Sequence, residues 1–233
     1  MLHYSSNVIK LVNAAINRTF AWMSTGLALT ATISFLISQS HFMHYLLNAS
    51  AYGSILRFSI IAVQFILVIA LMAFSEKMSY SSMVATFLAF SGVMGMSLAT
   101  IFLIYSIESI IGIFFITSGM FASLCIYGLI TKRDLGPIGY FAGMVLFGMI
   151  IFGLINTFFV KSAAFVNVLS FIGVIVFSAL TAYDIQNVKV ALAEMAYDTK
   201  EQNKMSIKGA LMMYLNFINL FLNLLKLFGK KRD

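Results

Sequence analysis

Charge is what this chain has least of. Only 10% of its 233 residues are Asp, Glu, Lys or Arg, while 61% are hydrophobic; a soluble domain is about half apolar and a quarter charged. That shortage excludes a soluble globular domain. Proline occurs once and cysteine once, so little is available to break helices or build long loops. The single Cys125 excludes an internal disulfide, and within its apolar run it reads as inert packing. The three histidines, His3, His41 and His44, all lie outside the long apolar runs. Their positions remove the His-Glu-x-x-His zinc site of a membrane metalloprotease and the base of a serine–histidine dyad. No glycine-rich phosphate loop or cofactor motif is present either. No cofactor or resident metal is expected, and the chain reads as a non-enzyme.

What remains is apolar and long. Mean hydropathy is +0.97, and a helix needs roughly 20 apolar residues to cross the hydrocarbon. Spans are expected near 18–38, 56–74, 80–104, 109–130, 137–159, 164–186 and 207–228. The fold class is therefore an all-α polytopic membrane protein with seven transmembrane helices. One membrane domain covers 18–228, after a short, weakly amphipathic lead-in (1–17) and before a basic tail (229–233). A polar, helical cytoplasmic loop is expected at about 189–206. The runs are solidly apolar, unlike the alternating strands of an outer-membrane barrel. No internal repeat is visible, which speaks against the inverted-repeat transporters. No cleavable signal peptide is evident, so the first span should stay as an anchor.

The net charge of +7 comes from basic residues scattered singly over loops and tails, so no nucleic-acid partner is expected. In a membrane chain such charge reports orientation. With the N-terminus cytoplasmic, the inner segments hold Lys10, Arg18, Lys77, Lys132, Arg133, Lys189, Lys200, Lys204 and Lys208. The outer loops hold only Arg57 and Lys161. The tail disagrees, because Lys226, Lys230, Lys231 and Arg232 fall outside if the last segment crosses. Either it crosses against the rule or it re-enters; seven crossings is the reading adopted.

Two polar residues sit deep in this apolar background. Asp184 closes the run Phe177-Ser-Ala-Leu-Thr-Ala-Tyr-Asp184, and Asn216 lies inside the last span. Ionisable and amide side chains at bilayer depth are costly and usually face a bundle interior or a pathway. Asn216, Asn219, Asn223 and Lys226 are spaced 3, 4 and 3 apart, which draws one polar stripe along one helical face. Its natural partner is Asp184, so Asp184 and Asn216 are expected within hydrogen-bonding reach. The Leu215, Phe217 and Leu222 side of the same helix should also meet protein. In the third span, Ser91, Gly92, Gly95 and Ser97 recur at three-to-four spacing, as at a close helix contact. Asp134, beside Lys132 and Arg133, reads as a solvated turn or cap. Tyr183-Asp184 matches half of a presenilin-type aspartyl protease pattern, but the partner Gly-x-Gly-Asp is missing, and an aspartyl mechanism needs two carboxylates.

These residues, taken in order, resemble the Bax inhibitor-1 (TMBIM) family, as a bacterial-type member. The matching segments are Phe20-Ala-Trp22-Met-Ser-Thr-Gly26-Leu, Thr117-Ser-Gly119-Met-Phe121, Thr131-Lys-Arg-Asp134-Leu-Gly136, Phe177-Ser-Ala-Leu-Thr181-Ala-Tyr-Asp184 and Gly209-Ala-Leu-Met-Met-Tyr-Leu-Asn216-Phe-Ile-Asn219-Leu-Phe. The resemblance implies six helices wrapped around a central C-terminal seventh. It also implies a calcium leak gated by pH through a buried pair of aspartates. One aspartate matches Asp184; the other matches position 216, where this chain carries asparagine. An acid in the family's second helix aligns with Gln64, and a basic residue in its last helix with Lys226. An Asp–Asn pair lacks the coupled titration of two carboxylates, and Asn216 neither ionises nor takes up a proton near neutral pH. Two functional expectations follow. The first is a calcium-leak-type cation channel, with calcium as the permeant ion and an altered gate formed by Asp184, Asn216, Asn219, Lys226 and Gln64. The second is a non-conducting regulator that interacts with the membrane-anchored AAA protease FtsH, with which bacterial relatives are associated. Either would be a monomer in the bilayer of the bacterial inner membrane.

Overall fold

A bilayer core offers backbone groups no hydrogen-bond partner, so long apolar runs must satisfy their own N–H and C=O groups as helices. The computed structural model describes residues 6–47 and 51–232, apart from the side chains of His44 and Ala51. His3 and the rest of the first five lead-in residues lie outside the described residues, as does Asp233 of the tail. The elements are α1 (Ser6–Ser38), α2 (Phe42–Leu47), α3 (Ala51–Ala73), α4 (Tyr80–Leu98), α5 (Ile101–Ile104), α6 (Ile107–Ile130), α7 (Gly136–Ile155), α8 (Ala163–Glu194) and α9 (Thr199–Phe228). Among the described residues, seven helical stretches are long and apolar enough to cross a membrane, the last being Thr199–Phe228 as one unbroken helix. The chain is an all-α polytopic membrane protein.

The helix starts are local chemistry. Ser79 and Ser106 accept the backbone N–H of Ser82 and Ser109 at 3.1 and 3.3 Å, each capping an orphan donor of the first turn. Pro137 sits in the first turn of α7, where its missing N–H costs nothing. Asp198 accepts from Lys200 N and Glu201 N and so starts α9.

Three features differ from the sequence reading. The lead-in is the opening of α1 itself, because Val8, Val12, Ala15, Ile16 and Thr19 bury one face at helical spacing. At 33 residues, α1 is about 50 Å long, well over the roughly 30 Å hydrocarbon core. The polar helical segment near 189–206 is not one of them: α8 runs to Glu194 and α9 begins at Thr199, with residues 195–198 as the connection. The third span breaks at Ala99–Thr100, and α7 ends in a π-helical turn, Asn156–Val160. Lys161 closes that turn in the left-handed region with φ of 51°, while Asn156 Oδ1 accepts from Ser162 N at 3.0 Å.

The chain divides into two compact units. One holds the residues up to Tyr105 with Ala191–Tyr214 and Arg232; the other holds Ser106–Val190 with Leu215–Lys231. In the first, α1 and α4 approach through small residues. A Cβ on Gly95 would stand 2.8 Å from the Thr30 carbonyl oxygen, so the expected close contact of that segment is present. Tyr214 is fully buried there, with Phe87 and Phe90 edge-on to its ring. Thr30 Oγ1 lies 2.6 Å from the Tyr214 hydroxyl and 2.8 Å from the Ser91 carbonyl. The carbonyl can only accept, so Thr30 donates to it and Tyr214 donates to Thr30. In the second unit, the edges of the Phe114 and Phe121 rings meet Phe217, each at 5.4 Å between centroids.

Candidate functional site

Asp184 lies on α8, in a stretch clamped by glycines of neighbouring helices. A Cβ on Gly128 of α6 would overlap the Ala182 carbonyl, and one on Gly139 of α7 would overlap the Tyr183 ring. Ile185 on the other side of Asp184 is fully buried. Each glycine lets α8 pack at backbone contact, so the carboxylate has a fixed position along its helix.

Asn216, 5% exposed, donates from Nδ2 to Asp184 Oδ2 at 2.7 Å. The expected contact is therefore made, and because its acceptor is ionisable it belongs to the stronger, charge-assisted class. The other two amides of the stripe bond within their own helix. Asn219 Nδ2 donates to the Leu215 carbonyl at 2.8 Å, and Asn223 Nδ2 to the Asn219 carbonyl at 2.7 Å. These are bonds to the preceding turn of their own helix, so neither amide reaches Asp184. The Asn223 amide rests on Gly173 of α8, where a Cβ would stand 2.7 Å away.

The acceptors decide how each amide is turned. An N–H must face a carbonyl or carboxylate oxygen, so all three amide oxygens point away from those bonds. Among the described residues, the Oδ1 atoms of Asn216, Asn219 and Asn223 and the second oxygen of Asp184 accept no hydrogen bond. This face of α9 thus carries three amide oxygens that accept no bond, with the Asp184 carboxylate of α8 beside the first. Oxygen atoms of this kind suit a hard cation, which takes oxygen ligands. Among the described residues no three His, Cys, Asp or Glu side chains come together to hold a metal ion.

Two further residues were singled out from the sequence. Lys226 is in the last turn of α9, exposed, where a cation complements the helix dipole; it makes no ion pair among the described residues. Gln64 belongs to the first unit, where its Nε2 donates to Ser97 Oγ at 2.7 Å and the Val93 carbonyl at 3.2 Å. It links α3 to α4 and has no bond to Asp184 or Asn216. On the opposite side of α9, Phe217 is buried while Leu215 and Leu222 are half-buried. With 56% of its most apolar stretch buried against at most 33% in any other span, α9 is the most enclosed crossing helix. Cys125 is buried and free.

The polar end of α8 carries a second function that the sequence reading missed. Gln186 donates to the Arg133 carbonyl at 2.9 Å and accepts from Leu135 N at 3.0 Å. Lys189 Nζ caps α6 through the Leu129 carbonyl at 2.7 Å. Asp134 accepts from Gly136 N at 2.8 Å, a turn contact as expected. The loop 131–135 is thereby tied to α8 within one turn of Asp184. The only sequence signal was that Gln186 and Lys189 share a face just beyond the apolar run.

A family model described as "Inhibitor of apoptosis-promoting Bax1" matches residues 12–233. The chain is 39% identical to "Inner membrane protein YbhL" of Escherichia coli K12 over 216 residues, covering 92% of this chain and 91% of that protein. It is 35% identical over 225 residues to an uncharacterized protein of Borreliella burgdorferi, covering 97% and 95%. These descriptions speak of an inhibitor and a membrane protein, not of an enzyme.

Proposed function

We propose that this chain, which belongs to the Bax inhibitor-1 family, resides in the bacterial inner membrane and lets cations leak along the oxygen line of Asp184, Asn216, Asn219 and Asn223, with calcium as the principal permeant ion. The observation that carries the proposal is the turning of the three amides. One N–H of each amide is held by its bond and the amide oxygens accept none, so the line offers a passing cation one carboxylate and a ladder of acceptors. The Asn216–Asp184 bond is the gate. While it holds, one carboxylate oxygen is occupied and α8 is latched to α9; when it parts, both oxygens become available. Gln64, bonded to Ser97 and the Val93 carbonyl of α4, holds α3 to α4 within its own unit. The distribution of lysine and arginine supports a cytoplasmic N-terminus.

The test is calcium entry into vesicles reconstituted with the purified protein, followed with an enclosed indicator. Flux above that of empty vesicles, reduced by Asp184→Asn and by Asn219→Leu, is the expected result. Flux equal to that of empty vesicles would remove the leak and leave the regulator reading, for which co-purification with FtsH is the matching assay.

A further inference from the structure

In the unit that contains the first half of α9, a half-open pocket of about 110 Å³ is lined by Glu76, Glu201, Lys204 and Lys208 together with methionine side chains. Its size is the share of about four waters in the liquid. That is too small for a nucleotide or drug-sized ligand, whose pockets run to roughly 300–1,000 Å³, and right for the polar group of a larger molecule held outside.

The charges within it are of two kinds. Lys204 is 8% exposed, and its ammonium is held 3.0 Å from the Glu201 carboxylate and 3.3 Å from the Glu76 carbonyl. This pair is committed. Lys208, one turn further along α9, and the Glu76 carboxylate form no ion pair among the described residues. One free cation and one free anion therefore face the same small space. With two lysines against two carboxylates the lining is near neutral, which does not favour a plain anion. It favours a ligand that carries both charges at short separation.

Its depth identifies the source. Glu76 lies in the short connection between α3 and α4, both membrane-crossing, so the pocket opens at the level of lipid head groups. The methionines supply apolar, adaptable lining for the part of the lipid that leads to its chains. We propose that this pocket binds the phosphoethanolamine head group of a membrane phospholipid. The phosphate is bound by Lys208 with the remaining donor of Lys204, and the primary ammonium by Glu76.

The test measures lipid retention on the full chain, extracted in mild detergent and analysed by native mass spectrometry after exchange into phosphatidylethanolamine, phosphatidylglycerol or phosphatidylcholine of identical chains. Phosphatidylethanolamine should be retained roughly tenfold better than either, about the worth of one charge-assisted hydrogen bond. Phosphatidylglycerol lacks the cation, and the quaternary ammonium of phosphatidylcholine has no N–H to give Glu76. Lys208→Met and Glu76→Gln should each erase the preference, and Lys208→Arg should keep it, with helicity by circular dichroism unchanged in all three. Equal retention of the three lipids, a preference for phosphatidylglycerol, or a preference unaffected by Lys208→Met and Glu76→Gln would overturn the assignment. Free phosphoethanolamine should bind far more weakly than the lipid; equal binding would assign the pocket to a soluble ligand and overturn the lipid reading.

Discussion

Replacing Asn216 by aspartate sets a second carboxylate where an amide now donates to the first. The Nδ2–Oδ2 separation is 2.7 Å, so an isosteric oxygen would meet an oxygen at hydrogen-bond distance with no proton between them. Two ionised carboxylates with charge centres about 4 Å apart repel by about 4 kcal/mol at an effective dielectric of about 20. Loss of the charge-assisted bond adds about 1.5–3 kcal/mol. The total, about 6 kcal/mol, is several times the roughly 1.4 kcal/mol that corresponds to one pH unit. The variant must therefore share one proton between its two carboxylates or part α8 from α9 at that level. In the parent chain the N–H at 216 is present at every pH. Calcium flux in proteoliposomes is accordingly expected to change less than about twofold from about pH 6 to 8 in the parent, and about tenfold in Asn216→Asp. Asp184→Asn should flatten what variation the parent has. A parent response as steep as that of Asn216→Asp would refute the reasoning and turn attention to Glu76 and Glu108.

Thr30→Val should destabilise more than Tyr214→Phe. The first strands the buried Tyr214 hydroxyl, while the second leaves Thr30 still donating to the Ser91 carbonyl; interhelical bonds in membranes average about 0.6 kcal/mol, with about 1.7 as an upper value. Reversible unfolding of both variants and the double variant gives the coupling, and strictly additive losses would show that the two hydroxyls do not bond. Gly128→Ala should cost about 1–3 kcal/mol through overlap with the Ala182 carbonyl. Gly119→Ala, where a Cβ meets nothing within 4 Å, should be neutral or gain up to about 1 kcal/mol from helix propensity; the same unfolding assay separates the two. Lys226→Met removes a positive charge at the end of the oxygen line and is expected to raise calcium flux modestly; an unchanged rate would place that lysine off the path.

The seven crossings were legible because hydropathy over twenty residues is a property of the chain alone. The Asp184–Asn216 contact was legible for a related reason: a buried carboxylate and a buried amide in an apolar chain have few other solutions. The sequence could not say that Asn219 and Asn223 would bond to their own helix, since an amide at helical spacing fits a neighbour's carboxylate and the carbonyl four residues back equally well. The Tyr214 hydroxyl had no sequence signal, since its partner Thr30 lies 184 positions away and nothing local marks either. Nor had Gly128, Gly139 and Gly173, because what each must admit belongs to another helix. Helix α1 ran further back than hydropathy suggested, since its first turns are amphipathic rather than apolar.

The separation of Asp184 from Asn216 along the chain also has a consequence in time. The two are 32 positions apart, and chains grow at about 5–20 residues per second, so the carboxylate exists for roughly 2–6 seconds before its amide has been polymerised. During that interval the end of α8 and the first turns of α9 are made, and Asp184 must wait without the partner that later holds it. A slow codon cluster placed between the two positions would lengthen the wait, and one placed before α8 would not. The part of the coding sequence most sensitive to translation speed is therefore the short stretch that separates a charge from the residue that receives it.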